Sequence, residues 1–190
     1  MANPLLPREF YERSTLLVAR ELLGARLVRV LDGVRLSGRI IETEAYLGEQ
    51  DLGSHARAGR TERTAVMYGQ AGHAYVYFTY GMHWCLNAVT EAEGKPTAVL
   101  IRAIEAGDGA EVMRERRQGR DLNGPAKLTQ AMGVDGSLNR IDLTTTQAGL
   151  WIEAGEMIPD ESVTQTARVG LYSVPEPWKS MPWRFRIKDQ

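Results

Sequence analysis

Three observations predict an α+β fold, a single mixed domain over residues 1–190 with a curved, mainly antiparallel sheet flanked by helices. Two strand-like runs meet at Asp32-Gly33, the dipeptide that most strongly marks a tight hairpin. Further alternating runs lie at 74–79 and 98–106. Helical periodicity is confined to short stretches scattered among them.

Ser14 or Thr15 is placed to cap a first helix that runs to about Leu23, with Leu16, Leu17, Ala19, Leu22 and Leu23 at helical spacing and Gly24 as a left-handed stop. That apolar stripe needs a sheet to lie on. Residues 26–31 and 34–45 form the hairpin strands, and alternation along the second puts Ile40, Glu42 and Glu44 on one face, with Ile41, Thr43 and Ala45 on the other. The strand at 74–79 stops at a turn, Tyr80-Gly81, where side chains are exposed. Helices follow at 110–118 and at 125–132, the latter with Pro125 in the first position and Gly133 at the stop. No repeat, low-complexity tract or linker divides the chain.

With 190 residues, the chain is long enough to bury roughly 70% of its unfolded surface. Hydrophobic residues at 43% and charged residues at 25% exclude a disordered or collagen-like chain. Cys85 is the only cysteine, which excludes an intramolecular disulfide, a thiolate zinc cluster and an iron-sulfur site, and fits a reducing cytoplasm. Neither a secretory signal nor a run of membrane-spanning length is present, so no membrane partner is expected. A net charge of -1 gives no overall pull on phosphate, so any nucleic-acid contact depends on local clusters: Arg57, Arg60 and Arg63; Arg114, Arg116, Arg117 and Arg120; Arg184, Arg186 and Lys188. A solvated helix face or polar tail is the favoured reading of each cluster taken alone.

Glu44 ends a largely apolar strand, where desolvation would raise its pKa and suit it to deprotonate water. On the strand alone, charges on the solvent face of an antiparallel strand are the favoured reading of Glu42 and Glu44, and their spacing of about 6.6 Å matches an inverting carboxylate pair no better than chance allows. Tyr75, Tyr77, Phe78, Tyr80 and Trp84 crowd ten residues of a chain only 7% aromatic. Core packing explains Tyr75 and Phe78, whereas Tyr80, beside Gly81 at the turn, is placed to wedge into a base stack. His55, His73 and His83 show no metal-binding spacing, and no Walker loop or dinucleotide fingerprint is present. No metal and no nucleotide cofactor is expected.

Taken in order, Glu42-Thr43-Glu44-Ala45-Tyr46-Leu47-Gly48, the run from Tyr75 to Met82, Asn123-Gly124-Pro125-Ala126-Lys127-Leu128, Ala167-Arg168-Val169-Gly170 and Pro182-Trp183-Arg184-Phe185 resemble the alkyladenine (3-methyladenine) DNA glycosylase family, in a short, bacterial-type member. The resemblance implies excision of alkylated or deaminated purines from double-stranded damaged DNA; a monomer is the default, since a flipped base needs only one pocket, and a cytoplasmic location, nucleoid-associated when bound to DNA, is expected. It implies Glu44 as general base, with Arg102 and the main-chain carbonyl of Val169 helping to hold the attacking water. Tyr46, His55 and Tyr77 correspond to the walls of the base pocket, Asn87 to the residue that disfavours guanine's amino group, and Tyr80 to the intercalating side chain. No lysine falls in the matched segments that carry Glu44 and the pocket tyrosines, Glu42 to Gly48 and Tyr75 to Met82, so a monofunctional enzyme without a Schiff-base step is expected. His83-Trp84 and Ala126 depart from the pattern and bear on substrate range. Two other readings stay open at this point: a catalytically silent DNA-binding module, and a nucleosidase acting on free nucleosides.

Overall fold

The computed structural model describes residues 3–188. Helices α1 (Arg8–Tyr11) and α2 (Thr15–Glu21) precede the hairpin of β1 (Arg26–Leu31) and β2 (Val34–Leu47). Then come β3 (Ala74–Thr79), β4 (His83–Val89), β5 (Thr97–Ala106), α3 (Ala110–Arg116), α4 (Pro125–Met132), β6 (Leu150–Glu153), β7 (Val163–Thr166) and β8 (Arg184–Ile187). All eight strands join one sheet in the order β3-β4-β5-β2-β1-β6, with β8 bridging β2 and β7, and every pairing is antiparallel. The expected α+β class is observed. No helix among the described residues is long and apolar enough to cross a membrane.

Strand β2 organises the molecule. One edge pairs with β5, while the other pairs first with β1 and then, at Glu42 to Glu44, with β8. Between Ile40 and Thr43 the register with β5 shifts and then recovers, leaving Ile41 and Arg102 without direct partners. Such bulges bend a sheet and re-aim side chains. Here the bulge breaks the alternation expected from the sequence: Ile40 enters the main core, while Glu42 and Glu44 alone share a face and both touch Arg102. On the opposite face the Thr43 hydroxyl donates to the Ala19 carbonyl of α2 at 2.7 Å, docking that helix on the sheet as its apolar stripe requires.

Both hairpin turns take two successive positive φ values, the type I′ geometry that matches strand twist. Asp32 and Gly33 have φ of 52° and 78°; Tyr80 and Gly81 have 51° and 69°, closed by Met82 N–H donating to Thr79 at 3.2 Å. The second turn leads into β4, a strand without an alternating signal because Cys85 to Val89 are all buried. Strands β6 to β8, of four residues each, are too short for periodicity to find.

Helix boundaries shift for tertiary reasons. Ser14 makes no capping bond; instead the Glu91 carboxylate, distant in sequence, accepts from the Thr15 N–H at 3.2 Å and its hydroxyl at 2.6 Å. Helix α2 ends at Glu21, short of Leu23, and Gly24 at φ 87° lies so close to the Glu156 carbonyl that a Cβ there would collide with it. Helix α3 ends before Gln118, whose φ of 52° no helix admits. Helix α4 starts at Pro125 and stops at Gly133, φ 61°, as its sequence dictates. A smaller cluster beside the main core, made of Ala56, Val66, Met67, Tyr75, Val89 and Ala98, supports Tyr77.

Candidate active site

A cavity of about 370 Å3 opens where β2, β3, β4 and the β5 bulge meet the loop at 53–55, the start of α4 and the segment at 169–171. Tyr46, His55, Tyr77, Tyr80, Asn87, Arg102 and Val169 all line it. Residues up to 125 positions apart in sequence are thus gathered round one space.

Glu44 lies behind the lining with no exposed surface. Three donors meet its carboxylate: the Val169 N–H at 2.7 Å on Oε1, and the Tyr46 hydroxyl at 2.9 Å and Arg102 Nη1 at 3.3 Å on Oε2. It is the N–H of Val169, rather than its carbonyl, that touches the acid. Burial raises the Glu44 pKa above the ordinary carboxylate value; Arg102, the Val169 N–H and Tyr46 oppose the rise, and Glu42 adds to it. Burial, then Glu44, raises Tyr46 well above the ordinary phenol value, so its hydroxyl keeps its proton and donates. Glu42 is clasped at Oε1 by Arg102 Nε and Arg184 Nε, each at 2.7 Å. The solvent-face reading of the two carboxylates is therefore excluded, since Glu42 is only 8% exposed.

The aromatic wall rests on His55, whose ring meets Tyr77 edge-on at 4.6 Å and whose Nδ1 bonds the Tyr75 hydroxyl at 2.9 Å. Burial of the ring, then Arg63 and Arg57, lowers the His55 pKa to about 4. The residue as a whole is exposed at the cavity mouth, which tempers the shift, but its ordinary value already lies below 7 and the ring is neutral at physiological pH. Asn87 is anchored by its amide, which donates to the Tyr75 carbonyl at 2.9 Å. Tyr80 projects from the hairpin tip, 84% exposed.

Of the two aromatic residues expected in the core, Tyr75 is there and Phe78 is not. Tyr75 is buried but also lines the cavity and holds His55, while Phe78 is exposed and packs on Trp84 at 4.8 Å. Of the arginine clusters, the first borders the site, with Arg63 over the Tyr77 ring at 5.0 Å. In the second, Arg117 is spent on packing, buried and bonded to Gln130 and the Asp121 carbonyl. Sequence reasoning gave no role to Asp51 and Arg168, a buried pair that borders Tyr46, or to Arg184 on Glu42. Only the buried setting of these charged residues reveals them, and no local pattern carries that information.

A family model described as methylpurine-DNA glycosylase matches residues 9–190. The chain belongs to the methylpurine-DNA glycosylase family. It is accordingly a DNA glycosylase, a hydrolase of N-glycosyl bonds. A relative from Carboxydothermus hydrogenoformans is 47% identical over 97% of this chain and 96% of its own. Those from Methanocella arvoryzae (46%, covering 98% and 94%) and Clostridium acetobutylicum (47%, covering 96% and 94%) are comparably similar, and each of the three carries the description "Putative 3-methyladenine DNA glycosylase".

Proposed function

We propose that this glycosylase, acting as a monomer on the nucleoid in the cytoplasm, flips alkylated or deaminated purines (3-methyladenine, 7-methylguanine, hypoxanthine and ethenoadenine) out of duplex DNA. In this reading it hydrolyses the N-glycosidic bond with water activated by Glu44, leaving an abasic site for base excision repair. The observation that carries the reading is a fully buried carboxylate, held by Val169, Tyr46 and Arg102, directly behind a cavity walled by tyrosines and a neutral histidine. Three donors fill three of the carboxylate's roughly four acceptor sites, leaving one for a proton of water. Arg102 and the Val169 carbonyl complete the hold on that water. As the glycosidic bond breaks, positive charge builds on the sugar and the same carboxylate stabilises it.

Extruding a base costs a few kcal/mol, and stacking on aromatic faces returns about 1–3 kcal/mol per base, so Tyr46 and Tyr77 stacking the flipped purine and Tyr80 filling its gap offset the extrusion. In this reading Asn87, which lines the cavity, disfavours the exocyclic amino group of guanine. The decisive experiment incubates the protein with duplex oligonucleotides carrying hypoxanthine or an alkylated purine and scores free base and abasic sites. Base release without a borohydride-trappable strand break is expected. Binding without release would identify a silent module, and release from free nucleosides with little salt dependence a nucleosidase.

The Tyr80 turn adds a test of its own. A left-handed backbone costs a bulky L-residue about 1–2 kcal/mol, and asparagine tolerates it well in a type I′ turn. Tyr80→Asn should therefore raise stability by about 1 kcal/mol in thermal melts while slowing excision from duplex DNA about tenfold, the equivalent of losing one stacking contact. A variant that gains stability without losing activity would remove Tyr80 from the mechanism.

A further inference from the structure

We infer that Arg168 and Asp51 form a positioning pair for excision, an ion pair that locks three walls of the base cavity into one geometry without touching DNA. The inference rests on the glycosylase reading of this site. Both side chains are 0% exposed, so neither has surface with which to reach a nucleic acid. Arg168 Nη1 and Nη2 grip the two Asp51 oxygens at 2.5 and 2.7 Å, the two-pronged geometry that a planar guanidinium allows.

Each partner reaches onward to a different wall. Arg168 Nη1 also donates to the Ala45 carbonyl at 3.0 Å, and the guanidinium lies over the rings of Tyr46 at 4.6 Å and Trp183 at 4.9 Å. Asp51 accepts from the N–H of Leu47 at 3.1 Å and of Gly53 at 2.9 Å, just past Tyr46 and just before His55. Arg168 is itself the residue before Val169, whose N–H meets Glu44. One ion pair thus ties together the end of β2, the loop that carries His55 and the segment that carries Val169.

Stability alone is a poor reason for such a pair, because the desolvation of two buried charges cancels much of their attraction. Arg168 Nε, moreover, is buried without a hydrogen-bond partner among the described residues, a further cost. Gly53 accommodates the arrangement, since a Cβ there would fall 2.7 Å from Arg168 Nη2.

Arg168→Lys keeps the charge but loses the fork and the flat face that covers Tyr46. With a hypoxanthine-containing duplex, its single-turnover rate at saturating enzyme should fall by about 100-fold, the scale of a misplacement near 1 Å. Its Kd for that duplex should stay unchanged, and the acid limb of its pH–rate profile should move to higher pH as the Val169 N–H loosens from Glu44. Asp51→Asn, which keeps one acceptor oxygen for only one of the Leu47 and Gly53 N–H groups and sets an NH2 against the guanidinium, should behave alike. Folded variants with wild-type rate and acid limb overturn the inference, as does a loss of rate matched by a loss of affinity. If neither variant folds, the pair is structural and the positioning role falls. Wild-type protein that releases no base overturns the underlying reading instead.

Discussion

Glu44→Gln should slow base excision by at least about two decades while the protein still binds lesion-bearing duplex with wild-type affinity. Glutamine keeps the shape of the side chain, and its amide oxygen can still accept the Val169 N–H that Glu44 holds at 2.7 Å. What it lacks is the negative charge and the basicity, and general-base catalysis is typically worth roughly 3–5 kcal/mol of activation free energy. Because burial raises the Glu44 pKa, the wild-type rate should climb with pH through a limb lying above the ordinary carboxylate range, and the residual activity of the variant should lack that limb. The same shift has a stability counterpart. Between the ordinary and the raised pKa the native state binds more protons than the unfolded state, so stability falls as pH rises through that window. Glu44→Gln should abolish this fall, measurable as the pH dependence of Tm. A variant that excises at the wild-type rate would sink the assignment and direct attention to Glu42.

Arg102→Met should be the most damaging single change to the stability of the site. The guanidinium bonds Glu42 through Nε at 2.7 Å and reaches Glu44 through Nη1 at 3.3 Å, so one cation serves two buried carboxylates. Arg184 still compensates Glu42 in the variant, whereas Glu44 is left with two neutral donors. Breaking a buried pair from one side costs about 3–5 kcal/mol, unless the orphaned acid takes up a proton. Loss of Arg102 raises the Glu44 pKa further, so the stability deficit should be small at low pH, grow as pH rises from the wild-type value to the new one, and level off above it. Activity should move the other way, falling near neutrality and recovering as the pH is raised. Glu44→Gln should show no such recovery. Chemical denaturation at several pH values and single-turnover excision across the same range distinguish the two, and an Arg102→Met deficit independent of pH would show that the guanidinium does not govern the ionisation of Glu44.

The amino-acid order alone determined the features that depend on neighbours in the chain. Asp32-Gly33 specifies its turn because two successive positive φ values suit few other dipeptides, and Pro125 with Gly133 brackets α4 because one cannot continue a helix backwards and the other readily adopts the left-handed stop. The resemblance in long motifs pointed to Glu44, Tyr46, Tyr77, Asn87 and Arg102 before any of them could be placed in space. Tertiary structure decided the rest. The bulge that turns Arg102 toward two carboxylates and separates Ile40 from Glu42 arises from pairing with β5, and periodicity read along β2 alone, though right to put Glu42 and Glu44 together, puts Ile40 with them. β4 escaped notice because burial on both faces erases alternation, and the true cap of α2, Glu91, lies 76 residues from Thr15. Most of all, whether Glu44 was a solvated charge or an acid enclosed by donors depended on Val169, 125 residues away. Desolvation and pairing are properties of what surrounds a side chain, and only folding brings those surroundings together.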